Sequence, residues 1–163
     1  MNGRPPWLPG VISTDGVWEQ VLARLYAVFV RDFKQGKPSF QGLPVFWDRR
    51  ILPGDTHEEG FWHLITKENA PGGDRLLDPP RAERLPWCSP TLQNSKNVEV
   101  KVWNYEEQHG RVRTYVWLEN FDYLVILQQR KVGARQAAFL ITAYHVGGDS
   151  TRRSLQRKYS NRI

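Results

Sequence analysis

His63 and Lys67 stand one helical turn apart in the stretch HEEGFWHLITKE, residues 57–68. Histidine titrates near neutrality, so it can take and return a proton at physiological pH, and lysine supplies a charge for an anionic oxygen. Arg81 and Arg84 lie three apart in DPPRAERLPW, a spacing that lets both project from one face of a short helical turn. An arginine can hold two phosphate oxygens at once. In ITAYHV, Thr142 and Tyr144 share one face of a strand, and His145 faces the other way unless a bulge intervenes. Thr142 is a small polar group in an apolar strand and so needs a partner. Together these residue types suit metal-free cleavage of RNA. In that reaction the substrate's own 2′-hydroxyl is the nucleophile, and the protein moves protons and offsets charge on phosphorus.

Each residue also has an ordinary role open to it. His63 fits a half-buried helical histidine bonded to backbone or to Glu59, and Lys67 fits a lysine placed by the helix dipole. Arg81 and Arg84 can pair with Glu83, Asp78 or Asp74. Other chemistry has less to stand on. There is no GxGxxG or GxxxxGK[ST] loop, no GxSxG and no HExxH. His57 and His63 are not spaced as ligands on one helical face, so no metal site and no cofactor is expected. Cys88 is the single cysteine, which excludes an internal disulfide and reads as a small apolar residue.

The elements that must position these groups follow from periodicity. In 163 residues no apolar run is long enough for a membrane span, and MNGRPPWLPG lacks the apolar centre of a signal peptide. One domain is expected over residues 1–163, with an arm and helix at 1–42 and a core at 43–159. The expected site of action is the cytoplasm, with export by a route needing no signal peptide left open. STDGVWEQVLARLYAVFVRDFKQG reads as a first helix, with Thr14 or Asp15 as its cap and Gly36 at its end. LPVFWDRR reads as a short strand, DTHEEGFWHLITKENAPGG as a second helix, and DPPRAERLPW as a short helical turn. From residue 98 the period changes to two. VEVKVWNYEE, RVRTYVWLEN, FDYLVILQQRK and RQAAFLITAYHV, joined by short breaks, predict a four-stranded antiparallel meander. The expected fold is α+β, with N-terminal helices on that sheet and a basic C-terminal helix.

The formal net charge of +6, from 23 Lys and Arg against 17 Asp and Glu, suggests a polyanionic partner. Two regions concentrate it. Arg111 and Arg113 share a strand face with Tyr115 and Trp117, where cations could meet phosphates and rings could stack on unpaired bases. Arg152, Arg153, Arg157 and Lys158 crowd the C-terminal helix. Arg111, Arg113, Tyr115 and these four, with Arg81 and His145, make the expected RNA-binding set. Cross-strand pairing and a solvated helix face are the plain alternatives.

GFWHLITK resembles the GF-x-H-(I/L) helix, followed by a basic residue, of toxin-like ribonucleases of the barnase/EndoU/colicin/RelE superfamily. RAERLPW, the strands around RTYVW and YLVILQ, and LITAYHV followed by RRSLQRKY are similar to its phage- and mobile-element-associated branch, over residues 43–159. The resemblance implies a metal-independent endoribonuclease, often a toxin neutralised by an immunity protein or antitoxin, cutting transfer or messenger RNA. It places His63 and Lys67 on the catalytic helix, Arg84 at the phosphate, and Thr142 with Tyr144 at the sheet end of the cleft. Arg152 and Arg153 would hold the RNA backbone. Some relatives carry a second histidine where this chain has Lys67, so the second proton-transfer role falls to Lys67, His57, Tyr144 or His145. A non-catalytic nucleic-acid-binding module and a phage or mobile-element interaction protein are the alternatives from other classes.

Overall fold

The computed structural model describes residues 3–163. Two short strands come early, β1 (Ser39–Phe40) and β2 (Leu43–Phe46). A separate hairpin is formed by β3 (Thr66–Glu68) and β4 (Arg75–Leu77). The long strands follow: β5 (Val100–Glu106), β6 (Val112–Leu118), β7 (Tyr123–Val132) and β8 (Arg135–His145). The main sheet has the order β1-β2-β8-β7-β6-β5. This corrects the expected four-stranded antiparallel sheet. The sheet has six strands and is mixed, because β2 pairs in parallel with β8 through Val45–Ala138 and Phe46–Phe139.

The apolar side chains of β5–β8 that share one face form the main core with the helices α1 (Trp18–Phe29), α2 (Glu59–Ile65), α3 (Pro79–Glu83) and α4 (Leu85–Gln93). Val21, Leu25, Val28 and Phe29 give α1 its buried stripe. Val17 precedes α1 with no side-chain cap, so neither Thr14 nor Asp15 has that role. The backbone continues as a π-helical turn, Val30–Gln35, that buries Phe33. Tyr26 donates to Glu58 Oε1 at 2.8 Å, and Lys34 donates to Glu58 Oε2 at 2.9 Å. Leu8, α1 and Phe33 therefore belong to the same core as residues 43–159.

The opposite face of the sheet carries a smaller core. Trp103, Tyr115, Trp117 and Leu124 pack there against Val146 and against Leu155 of α5 (Asp149–Ser160). Trp103 stacks on Tyr115 at 5.1 Å and meets Tyr159 edge-on at 5.3 Å. The expected stacking surface for bases is thus closed: Tyr115 is 2% exposed and Trp117 0%. Alternation places both rings on the second face, and α5 then covers them.

The second helix is shorter than its apolar pattern suggests. It stops at Ile65, and Thr66 is extended (φ −125°, ψ 161°), where its β-branched side chain is at ease. Lys67 therefore lies on β3, opposite Leu76, and not one turn along the helix from His63. The start of α2 is fixed by a close approach. Gly60 N–H donates to Asp48 O at 2.8 Å, and a β-carbon at Gly60 would stand 3.0 Å from that oxygen and 3.2 Å from Trp47 Cβ. Gly60→Ala is expected to push α2 off the end of β2 and cost about 1–3 kcal/mol, as overpacking does. Urea unfolding of the purified variant measures this, and a midpoint equal to that of the unmodified chain would contradict it.

Candidate active site

β2 pairs with β8 only as far as Phe139, so Leu140–His145, the second half of β8, would be a bare edge. Helix α2 and the β3–β4 hairpin stand beside this part. Between them lies an open cavity of about 480 Å³, lined by His63 of α2, Lys67 and Glu68 of β3, Arg75 of β4, Arg81 of α3 and Asp48. Its floor is β8, from Phe139 to Thr142 and Tyr144. A β-bulge shapes this floor: Ile126 faces Thr142 and Leu127 faces Leu140, leaving Ile141 as the extra residue. Leu140 can then enter the main core while Thr142 and Tyr144 face the cavity.

The carbonyls that end α2 are heavily occupied. Arg81 Nη1 donates to His63 O at 3.0 Å, to Thr66 O at 2.6 Å and to Thr142 Oγ1 at 3.4 Å. Thr142 Oγ1 donates to His63 O at 3.2 Å. Arg75 donates from Nε to Thr66 Oγ1 at 2.8 Å and from Nη2 to Thr66 O at 2.7 Å. A helix end leaves carbonyls unsatisfied and a partial negative charge, and these donors answer both. Arg81 and Thr142 hold the backbone of His63 in place, and the Arg81 guanidinium also stacks over the Tyr144 ring at 5.4 Å.

The electrostatics favour a neutral imidazole. Burial lowers the pKa of His63 from its ordinary value, and the charges of Arg75 and Arg81 lower it further; Asp48 and Glu68 oppose them. Asp48 is itself held below the usual carboxylate range by its hydrogen bonds from Arg50. Burial raises the pKa of Tyr144, so its hydroxyl keeps its proton. An NMR titration of the His63 imidazole is expected to show a midpoint below the reference value of about 6.5. Arg75→Gln should move that midpoint up, and Asp48→Asn should move it down. A depressed histidine pKa also means that the unfolded chain binds the extra proton first. The stability from neutral His63 is present above about pH 6.5 and is lost below it, as pH falls through the lower pKa of the folded state. A midpoint at or above the reference would refute the assignment.

Of the residues singled out from the sequence, His63, Lys67, Arg81, Thr142 and Tyr144 line this one cavity. Arg84 does not: it donates to Pro80 O at 2.9 Å and lies over the Trp87 ring at 5.3 Å. His57 packs edge-on against Tyr26 at 4.4 Å, away from the cavity. His145, on the other face of β8 from Tyr144, has its pKa lowered by burial and then by Arg84. Two of the basic groups on α5 are tied to the fold, Arg152 to Glu119 O and Asp122, and Lys158 to the Tyr115 hydroxyl at 2.9 Å. Arg153 and Arg157 are exposed and outside the cavity. Arg111 and Arg113 line a neighbouring cavity of about 420 Å³ with Glu107, Tyr115 and Ile141, and the buried Arg113 Nη1 has no hydrogen-bond partner. Cys88 is buried, which pushes its thiol pKa up to about 12 and makes it a poor nucleophile.

Asp48, Glu68 and Arg75 are the charged cavity residues that sequence reasoning missed. Asp48 follows the strand LPVFW, a spot that carries no motif; Arg75 follows the PGG turn, and only its place opposite Glu68 brings it back to α2. Among the described residues no three His, Cys, Asp or Glu side chains stand together as a metal site, and no helix is long and apolar enough to cross a membrane. The chain matches no family model, no curated protein and no solved structure.

Proposed function

We propose that the chain is a metal-independent endoribonuclease that cuts RNA by attack of the substrate's own 2′-hydroxyl. The observation carrying this reading is the single cavity that gathers a neutral His63, the cations Lys67, Arg75 and Arg81, and the protonated Tyr144. His63 takes the 2′-hydroxyl proton as the new bond from O2′ to phosphorus forms. Arg75 and Arg81 stabilise the charge on the non-bridging oxygens. The bond from phosphorus to the 5′-oxygen breaks, and that oxygen receives a proton from Lys67 or Tyr144. The products are a 2′,3′-cyclic phosphate and a free 5′-hydroxyl.

Both carboxylates of the cavity are already engaged by arginine, Asp48 by Arg50 at 2.6 Å and Glu68 by Arg75 at 3.8 Å. That donor set favours the route through the 2′-hydroxyl over carboxylate-held metal chemistry. The resemblance of GFWHLITK adds a toxin held by an immunity protein or antitoxin, acting on transfer or messenger RNA in the cytoplasm. The test is incubation of the pure protein with total RNA and ribosomes in EDTA, beside His63→Ala, with cyclic-phosphate ends as the readout. Intact RNA after incubation with the unmodified protein would end the proposal.

A further inference from the structure

The His63 cavity has a basic neighbour at the β2 edge of the sheet. It is a cavity of about 580 Å³ between the π-helical turn and the β2 edge, and its lining includes Lys34, Lys37, Arg49, Arg135 and Phe46 but no acidic side chain. Lys34 is paired with Glu58. Lys37, Arg49 and Arg135 are exposed and, among the described residues, form no ion pair. All three charges line this one cavity. Arg49 is held over the Trp47 ring at 4.7 Å, and Lys37 sits at φ 45° before Pro38, a left-handed backbone uncommon for a side-chain-bearing residue.

The two cavities meet across one strand pair. Phe46 lines the basic cavity, Phe139 lines the His63 cavity, and the two residues face each other in the parallel register of β2 and β8. Neighbouring strands lie about 4.8 Å apart, so the two cavities open on either side of this one pair of half-buried residues. The Arg130 guanidinium covers the Phe139 ring at 4.1 Å. Cations that track a backbone beside aromatic faces are the pattern that holds single strands, because a ring can stack only on an unpaired base.

We propose that the cavity lined by Lys37, Arg49 and Arg135 is a phosphate subsite that holds single-stranded RNA next to the bond cut at His63, with Phe46 as the base platform between them. This rests on the ribonuclease reading. It adds that the substrate is an unpaired strand several nucleotides long, with its flank engaged beyond the reacting phosphate.

The experiment compares the unmodified protein with the double variant Arg49→Gln/Arg135→Gln. Both changes are at exposed positions outside the His63 cavity, and equal melting temperatures confirm a retained fold. Binding of a fluorescent 2′-O-methyl RNA nonamer, which lacks the attacking hydroxyl, is followed by anisotropy over a range of salt. The variant is expected to bind the nonamer at least about tenfold more weakly, with a salt slope reduced by about 1.4 for two lost phosphate contacts. Cleavage of a dinucleotide should be unchanged. Undiminished nonamer binding by the variant overturns the subsite and leaves the ribonuclease reading standing. Equal loss on nonamer and dinucleotide also overturns it, because the arginines would then act on the His63 cavity itself. A duplex weakened as much as the single strand overturns the unpaired-strand assignment. If the unmodified protein neither binds nor cuts RNA, the ribonuclease reading fails and the subsite falls with it.

Discussion

His63→Ala is expected to lower the rate of RNA cleavage by about 10²–10⁴-fold, the range that a positioned proton-transfer group contributes. The loss should fall on kcat. Lys67, Arg75 and Arg81 remain to hold the phosphate, so KM should change little. The fold should survive, because His63 presents its side chain to the cavity while Phe61, Leu64 and Ile65 carry the buried face of α2. The pH profile gives a second readout. Burial and the charges of Arg75 and Arg81 keep the imidazole neutral, so the acid limb of kcat/KM should lie below about pH 6.5 and should vanish in the variant. The measurement is the initial rate of cyclic-phosphate formation in EDTA across pH. Equal cutting by the variant at every pH would remove His63 from the chemistry.

What could be read from the sequence was local. The two-residue period of VEVKVWNYEE, RVRTYVWLEN, FDYLVILQQRK and RQAAFLITAYHV is the inward and outward alternation of β5 to β8. The short strand β2 was legible in LPVFWDRR, but its parallel pairing was not, because a four-residue strand containing Pro44 joins a strand almost a hundred residues away. Helix α4 was hidden for another reason. LPWCSPTLQ carries two prolines and reads as a breaker, yet Leu85, Trp87, Cys88 and Leu92 are buried in the main core, and that burial outweighs the propensity. The basic face with Tyr115 and Trp117 shows the limit of strand parity. Parity assigns a face, but only the docking of Leu155 and Tyr159 on that face decides whether water or a partner can reach it.

At the candidate site, residue types were legible and their division of labour was not. His63, Thr142 and Tyr144 were singled out by type, but Thr142 turned out to bond the backbone of His63. The bulge at Ile141 carries no glycine to announce it. Arg81 and Arg84 are indistinguishable by spacing. Their fates differ because Arg81 points at the free end of α2, and Arg84 turns back to Pro80 O and the Trp87 ring.

That difference gives the second large effect. Arg81→Ala is expected to destabilise the fold by about 2–4 kcal/mol, since it removes charge-assisted hydrogen bonds to two carbonyls in a largely buried setting. Thr142 still serves His63 O and Arg75 still serves Thr66 O, so the loss should stop short of unfolding. Arg84→Ala, which removes a bond to the Pro80 carbonyl at the surface, should cost less than half as much in the same urea titration. The variants should also separate in the chemistry. Removing Arg81 takes away one of the charges that depress His63, so the His63 midpoint should rise while Arg84→Ala leaves it in place. A positioning role predicts both changes together, lower stability and a raised imidazole midpoint, with cleavage falling because α2 no longer holds His63 against Thr142. If Arg81→Ala instead left stability and the His63 midpoint untouched and only weakened RNA binding, Arg81 would be a phosphate ligand alone, and the hydrogen bonds to His63 O and Thr66 O would have no mechanical role.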